Sequence, residues 1–297
     1  MKILGLGDNI VDRFIDRGVD FPGGNAVNVA VYARRLGAEA GYLGVFGDDD
    51  AGDFLREAVA AEGVDVSHSV IRRGESGVST LHVVDGDRTF LGWNGGGVTV
   101  REPIDLEEGR LDYAAGFDLV HTSVYSGILP ELPRLAALDT LIGFDFSSEP
   151  EFRAEEYLAR VAPHIDLALT SCSEQTEAET RALLETLIAH GAGLALATRG
   201  ADGAIVTDGE QWASAPAHLI EDPSTIVDTM GCGDAFVAGF VVQLLGEGWS
   251  RLNAPDAERL RRGLHAGAEA SREQCFVEAA FGRGRPTPSA SGTGSSA

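Results

Sequence analysis

Short apolar runs bounded by Gly or polar residues alternate along most of the chain with stretches whose apolar positions recur at helical spacing. That alternation is the pattern of a sheet covered by helices on both faces, an α/β architecture. Residues 3–6 read as a first strand, 25–36 as a buried helix rich in Ala and Val, 41–46 as a second strand and 54–61 as a helix. The runs at 117–122, 141–146, 165–169 and 194–198 have the length and continuous apolarity of central parallel strands. Between the last two, Leu183, Leu184, Leu187 and Ile188 recur at helical spacing inside 174–190, and Gly191 follows as a stop.

One stretch breaks this rhythm. Residues 77–100 alternate Ser79, Leu81 and Val83, then Thr89, Leu91 and Trp93, around the turn-like Asp85-Gly86-Asp87, and so predict a hairpin. With the short insertion at 13–22 it forms a small β appendage placed to cover a cleft. Residues 282–297 are Gly, Pro, Ser and Thr with almost nothing apolar, which predicts a disordered tail after a single domain over 1–281.

The chain has 297 residues, 44% hydrophobic and 23% charged, enough for a sizeable core. Its start lacks the apolar run of a secretory signal and no window is apolar for eighteen residues, so a cytoplasmic protein with no membrane partner is expected. Cys172, Cys232 and Cys275 are widely separated with no C-x-x-C spacing, which indicates neither a disulfide framework nor a zinc site. With 46 acidic against 23 basic residues the formal charge is -23, which disfavours nucleic acid as a partner. Lys2 is the only lysine, at the extreme N-terminus. A Walker A loop, a protein-kinase strand lysine and a Schiff-base lysine all need an internal ammonium, so these chemistries are excluded.

The sharpest chemical signal is STIVDTMGCGDAFVAGF at 224–240. Ile226 and Val227 read as the end of a strand, and Phe236, Val237, Phe240, Val241, Leu244 and Leu245 as one stripe of a helix beginning near Gly233. Gly231 and Gly233 remove the Cβ atoms that would block a tight turn, so the amides of Gly231, Cys232 and Gly233 can converge on an anion at the helix N-terminus. Asp234, in the first turn, stands where a carboxylate can take the proton of an incoming hydroxyl. These are the parts of phosphoryl transfer: a positive cradle and a residue that orients the nucleophile. The alternative is that Asp234 only complements the helix dipole.

At 21–33, FPGGNAVNVAVYA, Gly23 and Gly24 precede a helix that Asn25 can cap, and Asn28 follows one turn later on the same face. An amide buried among Ala and Val needs partners, which a polyol ligand would supply. Gly7-Asp8-Asn9-Ile10-Val11-Asp12 follows the first strand, at the end of a parallel sheet that faces ligand, so Asp12 is placed to grip sugar hydroxyls. Gly5-x-Gly7 is not a dinucleotide fingerprint, because position 10 is Ile.

DTMGCGD, GGNAVNVA and GDNIVD, in that spacing and order, resemble the ribokinase-like (PfkB) carbohydrate kinases over nearly the whole chain except the tail. The resemblance implies a doubly wound, mostly parallel sheet with helices on both faces and a small β lid. It implies Asp234 as catalytic base, Gly231, Cys232 and Gly233 as the anion hole, and Asp12, Gly24, Asn25 and Asn28 as the sugar site. Cys232 stands where the family usually has Ala, and only its amide is implicated. ATP and Mg²⁺ are the implied cofactors. Asp228 matches the residue that shapes this loop, near which many members hold a monovalent cation such as K⁺. The family's N-x-x-E motif, which acts on magnesium through water, falls at Glu174-Gln175-Thr176-Glu177, with Glu174 in place of Asn. Spacing i, i+3 puts both carboxylates on one helix face. Thr198, Gly200 and Gly203 match the turn beside ATP, and His265 falls at a family Asn position, where a structural histidine is expected.

Within the family, GDNIVD, FPGGNAVNVAVY, VFGDDDAG, GVDVSH, DGDRTF, FDLVH and FDFS are most similar to the fructoselysine 6-kinase branch. The resemblance implies ATP-dependent phosphorylation of a primary hydroxyl, on C6 of a fructosamine. Arg88, Phe90 and Trp93 of the hairpin are candidate contacts to the substrate, with packing of the appendage or a homodimer contact through the lid as the alternative. Other kinases of the family, acting on fructose, ribose, ketodeoxygluconate or a nucleoside, and a non-catalytic sugar or nucleotide sensor are the competing readings.

Overall fold

In the computed structural model, which describes residues 1–84, 87–107 and 109–288, the alternating runs form two sheets. The chain begins with β1 (Lys2–Gly7), β2 (Ile10–Phe14), β3 (Val19–Gly23), α1 (Asn25–Arg35), β4 (Glu39–Gly47), α2 (Asp50–Ala61) and β5 (Val70–Arg72). It continues through β6 (Val78–Val84), β7 (Asp87–Trp93), α3 (Gly97–Arg101), α4 (Arg110–Ala114), β8 (Leu119–Ser123), α5 (Leu132–Ala136), β9 (Leu141–Asp145) and α6 (Glu155–Val161). It ends with β10 (Leu167–Ser171), α7 (Glu177–Ala189), β11 (Leu194–Thr198), β12 (Ala204–Thr207), β13 (Trp212–Ala215), α8 (Cys232–Gly246), α9 (Ala257–Gln274) and β14 (Arg285–Pro286).

The large sheet runs β13-β12-β11-β10-β9-β8-β1-β4-β5, parallel from β11 to β5, with β12 and β13 added antiparallel at one edge. From β1 the chain first builds outward through β4 and β5, then returns to build the other way from β8, so strand order reverses beside β1. Open sheets of this kind bind ligand at that reversal, outside the carboxyl ends of the strands. Successive residues of β1 point to opposite layers: Ile3 packs with α1, α8 and α9, while Leu4 and Leu6 pack with α5, α6 and α7. The chain's lone lysine lies at the other end of β1, 3.5 Å from Glu39 and far from the crevice.

The small sheet, β14-β3-β2-β6-β7, is the expected lid, with its own core of Phe14, Phe21, Leu81 and Ala279. Several features differ from the sequence reading. The hairpin stops at Trp93, and the glycines at 95–97, all at positive φ, lead into α3. Residues 226–227 end no strand: a 3-10 turn at Pro223–Thr225 precedes them and β13 is the last strand of the large sheet. Helix α8 is buried around most of its surface because α1 packs on it as well as α9, so its apolar positions do not form a single stripe. The tail is ordered at its start, where Arg285 and Pro286 pair with Asp20 and Val19 and the Thr287 amide donates to Gly18 O at 2.9 Å; residues 289–297 lie outside the described residues. Among the described residues no helix is long and apolar enough to cross a membrane.

Candidate active site

The crevice at the strand reversal is built around Asn25, the first residue of α1. Gly24, at φ 116° with its α-carbon against Asn9, occupies the N-cap position and makes no side-chain cap, so the sequence-based assignment of Asn25 as the cap is corrected. The Asn25 side chain instead spans the site. Its Nδ2 donates to Asp234 Oδ1 at 2.7 Å and to Asp145 Oδ2 at 2.8 Å, while its Oδ1 lies 2.8 Å from His121 Nε2. With both amide hydrogens committed to carboxylates, Oδ1 is the acceptor, which makes Nε2 of His121 the donor. Burial holds His121 neutral, lowering its pKa to about 3, so this donor persists across the physiological range.

Asp234, in the first turn of α8, also accepts from Asn28 Nδ2 at 2.7 Å through Oδ2. The expectation that Asn28 needs a ligand for its amide is therefore revised: its Nδ2 serves the carboxylate, and its Oδ1 is the buried atom left without a partner. Burial first, and the charges of Asp145 and Asp8 with it, push the Asp234 carboxyl well above the ordinary carboxylate range, against the opposing bonds from Asn28 and Asn25. Asp145, at the end of β9, is pushed up to about 6 mainly by burial, although the Ser147 amide donates to it at 2.7 Å. Asp8 completes the group: its Oδ1 accepts from Ser126 Oγ at 2.7 Å and Ser123 Oγ at 2.9 Å. The partners of Asp8, Asp145 and Asp234 are hydroxyls, amides and carboxamides, and among the described residues no Arg or Lys pairs with these carboxylates. Asp12 is buried on β2 in the lid sheet, directly against Gly23, where an added Cβ would meet its carboxylate.

Beyond α8 lies a cavity of about 400 Å³ that reaches from the end of β11 to the α8 N-terminus. Thr198, Gly200, Gly203, Cys232, Gly233 and Phe236 line it, so the residues expected to hold nucleotide and two of the three expected anion-hole residues meet in one space. Gly231 has φ 75°, and a Cβ there would collide with the Tyr32 hydroxyl, which donates to Ala280 O. A Cβ on Gly233, by contrast, would meet nothing within 4 Å. That open space over the helix start is what a bound anion requires. Asp228 braces the loop from beneath, Oδ1 accepting the amides of Thr229 at 2.8 Å and Met230 at 2.9 Å. His265 lies outside the lining, 3.5 Å from His218.

The acidic pair expected for magnesium is placed differently from the sequence reading. The first helical residue of α7 is Glu177, and Glu174 precedes the Thr176 cap, so the two do not share a helix face. Thr176 spends its cap on Glu179 in a reciprocal box, which is why the helix starts there. Both acids are exposed, Glu177 pairs with Arg181 at 2.8 Å, and Glu174 directly follows Ser173 of the cavity wall. Among the described residues no three His, Cys, Asp or Glu are grouped to hold a metal ion. Arg88 lies outside the residues whose side chains are described, whereas Phe90 and Trp93 are exposed on β7.

Asp8, His121 and Asp145 were missed from sequence. Each is a polar residue that closes an apolar run, Asp145 at the end of β9, Asp8 just past β1 and His121 after the apolar start of β8, and that position was the available signal.

Residues 15–274 match the model of the pfkB family carbohydrate kinases. The chain is 36% identical to the fructosamine kinase FrlD of Bacillus subtilis over 287 residues, covering 96% of this chain and 95% of that protein. It is also 36% identical to the fructoselysine 6-kinase of Escherichia coli over 252 residues, 84% of this chain and 90% of the relative. Among solved structures, aminoimidazole riboside kinase from Salmonella enterica, complexed with aminoimidazole riboside and an ATP analog, superposes with a TM-score of 0.70 at 24% identity over 97% of each chain. Fructokinase from Vibrio cholerae gives 0.71 at 20% identity, over 97% of this chain and 96% of the other.

Proposed function

The chain belongs to the pfkB family of carbohydrate kinases, and from that premise we propose that its acceptor is a fructosamine such as fructoselysine, phosphorylated on the C6 hydroxyl. It is an ATP-dependent carbohydrate kinase, with an alcohol group as acceptor. The observation that carries the fructosamine reading is the group of Asp8, Asp145 and Asp234 beside a lid bearing Asp12, with no cation among the hydrogen-bond partners of the first three within the described residues. Such a crevice attracts a sugar carrying a protonated amine and repels a sugar acid. The names of the relatives, a fructosamine kinase and a fructoselysine 6-kinase, support the same class.

Asp234 takes the proton of the primary hydroxyl as its oxygen attacks the γ-phosphorus of ATP, and ADP leaves with the broken bond's electron pair. Its raised proton affinity suits a base working near neutrality. Asn25 and Asn28 hold the carboxylate from two sides, and the unpaired Oδ1 of Asn28 is an acceptor for a sugar hydroxyl. Asp12 and the backbone at Gly24 complete the sugar site. The amides of Gly231, Cys232 and Gly233 face the transferring group, supplying the fixed positive charge that a lysine would bring, since the chain's one lysine, Lys2, lies far from the crevice. Thr198, Gly200 and Gly203 hold the nucleotide.

The exposed, ungrouped acids fit Mg²⁺ carried on ATP phosphates better than a cage made of protein alone, since this ion keeps most of its waters. Glu177 and Glu174 would hold it through water. When bound it neutralises charge on the β- and γ-phosphates. Asp228, with Oδ1 braced on two amides and Oδ2 near the Ala279 amide at 3.2 Å, shapes the loop beside which a K⁺ ion would bind.

The lid bears the exposed apolar residues Phe90, Leu91 and Trp93 on its edge strand β7, which suits a homodimer joined through the lids. An ADP-release assay over fructoselysine, fructose, ribose and adenosine tests the substrate. Fructoselysine is expected to lead by at least tenfold in kcat/KM, and an equal or better rate with fructose would remove the fructosamine reading.

A further inference from the structure

Two of the three cysteines, separated by 43 positions in sequence, meet at the nucleotide cavity: Cys232 Sγ and Cys275 Sγ are 3.6 Å apart, and both residues line the cavity and are partly exposed. Cys172 is buried and is not one of the cavity's lining residues. We propose that Cys232 and Cys275 form an oxidisable dithiol, modified by peroxide to an intramolecular disulfide that impairs nucleotide binding. The proposal rests on the reading of this cavity as the ATP site.

The geometry favours the chemistry. A disulfide bond is about 2.05 Å long, so the sulfurs must close by roughly 1.5 Å, within reach of side-chain rotation and a small shift of one helix end. Cys232 is the first residue of α8, where the unpaired amides of a helix start favour a thiolate. Cys275 ends α9, its thiol donating to Ser271 O at 3.5 Å. In the first step the thiolate of Cys232 attacks one oxygen of the peroxide, the O–O bond breaks, and a sulfenic acid and hydroxide (or an alkoxide) result, the latter taking up the proton the Cys232 thiol had released to give water (or an alcohol). The Cys275 thiol then displaces hydroxide from that sulfur, with its own proton completing a second water. Overall two thiols lose two electrons and two protons, and the peroxide is reduced. A dithiol reductant reverses the modification by exchange.

The consequence follows from what the two residues hold. The Cys232 amide belongs to the proposed anion hole, and the Cys275 carbonyl accepts the amides of Val227 at 2.8 Å and Asp228 at 3.3 Å. A bond between the sulfurs therefore ties the start of α8 to the support of the loop that precedes it, and draws together two walls of the cavity.

The full chain is treated with a small excess of hydrogen peroxide, then digested without reduction, and its affinity for an ATP analogue is measured by calorimetry before oxidation, after it, and after dithiothreitol. Expected are a peptide joining Cys232 to Cys275, affinity weakened at least tenfold, and recovery on reduction. Cys275→Ala, compared with its own untreated state, is expected to form no such peptide and to keep its affinity through the same treatment, and Cys172→Ala to behave as the parent chain. Absence of the joined peptide overturns the proposal, as does a joined peptide with unchanged affinity. If the untreated chain binds no ATP analogue, it is the assignment of the cavity that fails, whereas a chain that binds ATP but phosphorylates no fructosamine leaves this test intact.

Discussion

At the position of Asp234 the chain places a carboxylate that is hard to ionise between two carboxamides, with a second carboxylate, Asp145, on the far side of Asn25. As the proposed base it must be ionised to act, so kcat/KM is expected to rise with pH through its raised pKa and to level off above it. Asp145 contributes to that elevation by like charge. Asp145→Asn keeps an oxygen for Asn25 and removes the charge, so the acid limb of the profile should move to lower pH; an unmoved limb would show that the Asp145 charge has no part in setting it. Asp234→Asn is expected to lower kcat by about 10²–10⁴, with ATP affinity within threefold of the parent chain, and near-parental turnover would exclude its role as base. Asp234 was legible in sequence because a Gly-x-Gly turn announces a helix start and the acid follows directly. Asp145 and His121 were not, because nothing local marks a polar residue at the end of an apolar run as functional; their roles depend on Asn25, distant in sequence and brought close only by the parallel pairing of β1, β8 and β9.

The elements themselves were largely readable, since apolar periodicity reports burial and the central strands are buried on both faces. Errors fell at boundaries where local hydrogen bonding decides the outcome. Thr176 starts α7 three residues after Glu174 through its box with Glu179, and the glycines at 95–97 turn the end of the hairpin into α3. At the start of α8 two glycines with the same sequence signature have different physical duties, and substitution separates them. Gly231→Ala forces a left-handed backbone on a side chain and drives its Cβ toward Tyr32, which should cost about 1–2 kcal/mol for the backbone alone and lower Tm by several degrees. Gly233→Ala meets no neighbour, so Tm should stay within about a degree while a methyl occupies the anion's space and kcat falls about 10²–10³-fold. Thermal melts and steady-state rates on both variants check the pair; equal loss of Tm in both would remove the distinction.

For the whole molecule, the lid is fastened by the chain's last described residues and not only by its own hairpins. β14 adds the outer strand next to β3, Thr287 Oγ1 donates to buried Asp20 at 2.9 Å, and Arg285 pairs with Asp50 at 2.8 Å while lying over the Phe54 ring at 4.2 Å. Asp20 also takes both arms of the Arg13 fork, each at 2.8 Å, and Arg13 adjoins Asp12 on β2. The same strand β3 runs through Gly24 into Asn25. Removing residues 285–297 deletes this strand and its contacts, a loss of about 2 kcal/mol to the lid from the hydrogen bonds. A looser lid admits water to the transferring phosphoryl group and positions Asp12 less well. The truncated chain is therefore expected to show a KM for sugar raised about three- to tenfold and a larger share of ATP hydrolysed without sugar. Its KM for ATP should hold within twofold, because the nucleotide cavity is lined from Ser171 to Cys275. Removing only 289–297 keeps every one of these contacts and should leave both constants unchanged. Coupled measurements of ADP release and sugar phosphate on the two truncations decide the matter: if the longer deletion leaves sugar KM and idle hydrolysis untouched, the C-terminal strand has no part in holding the lid over the substrate.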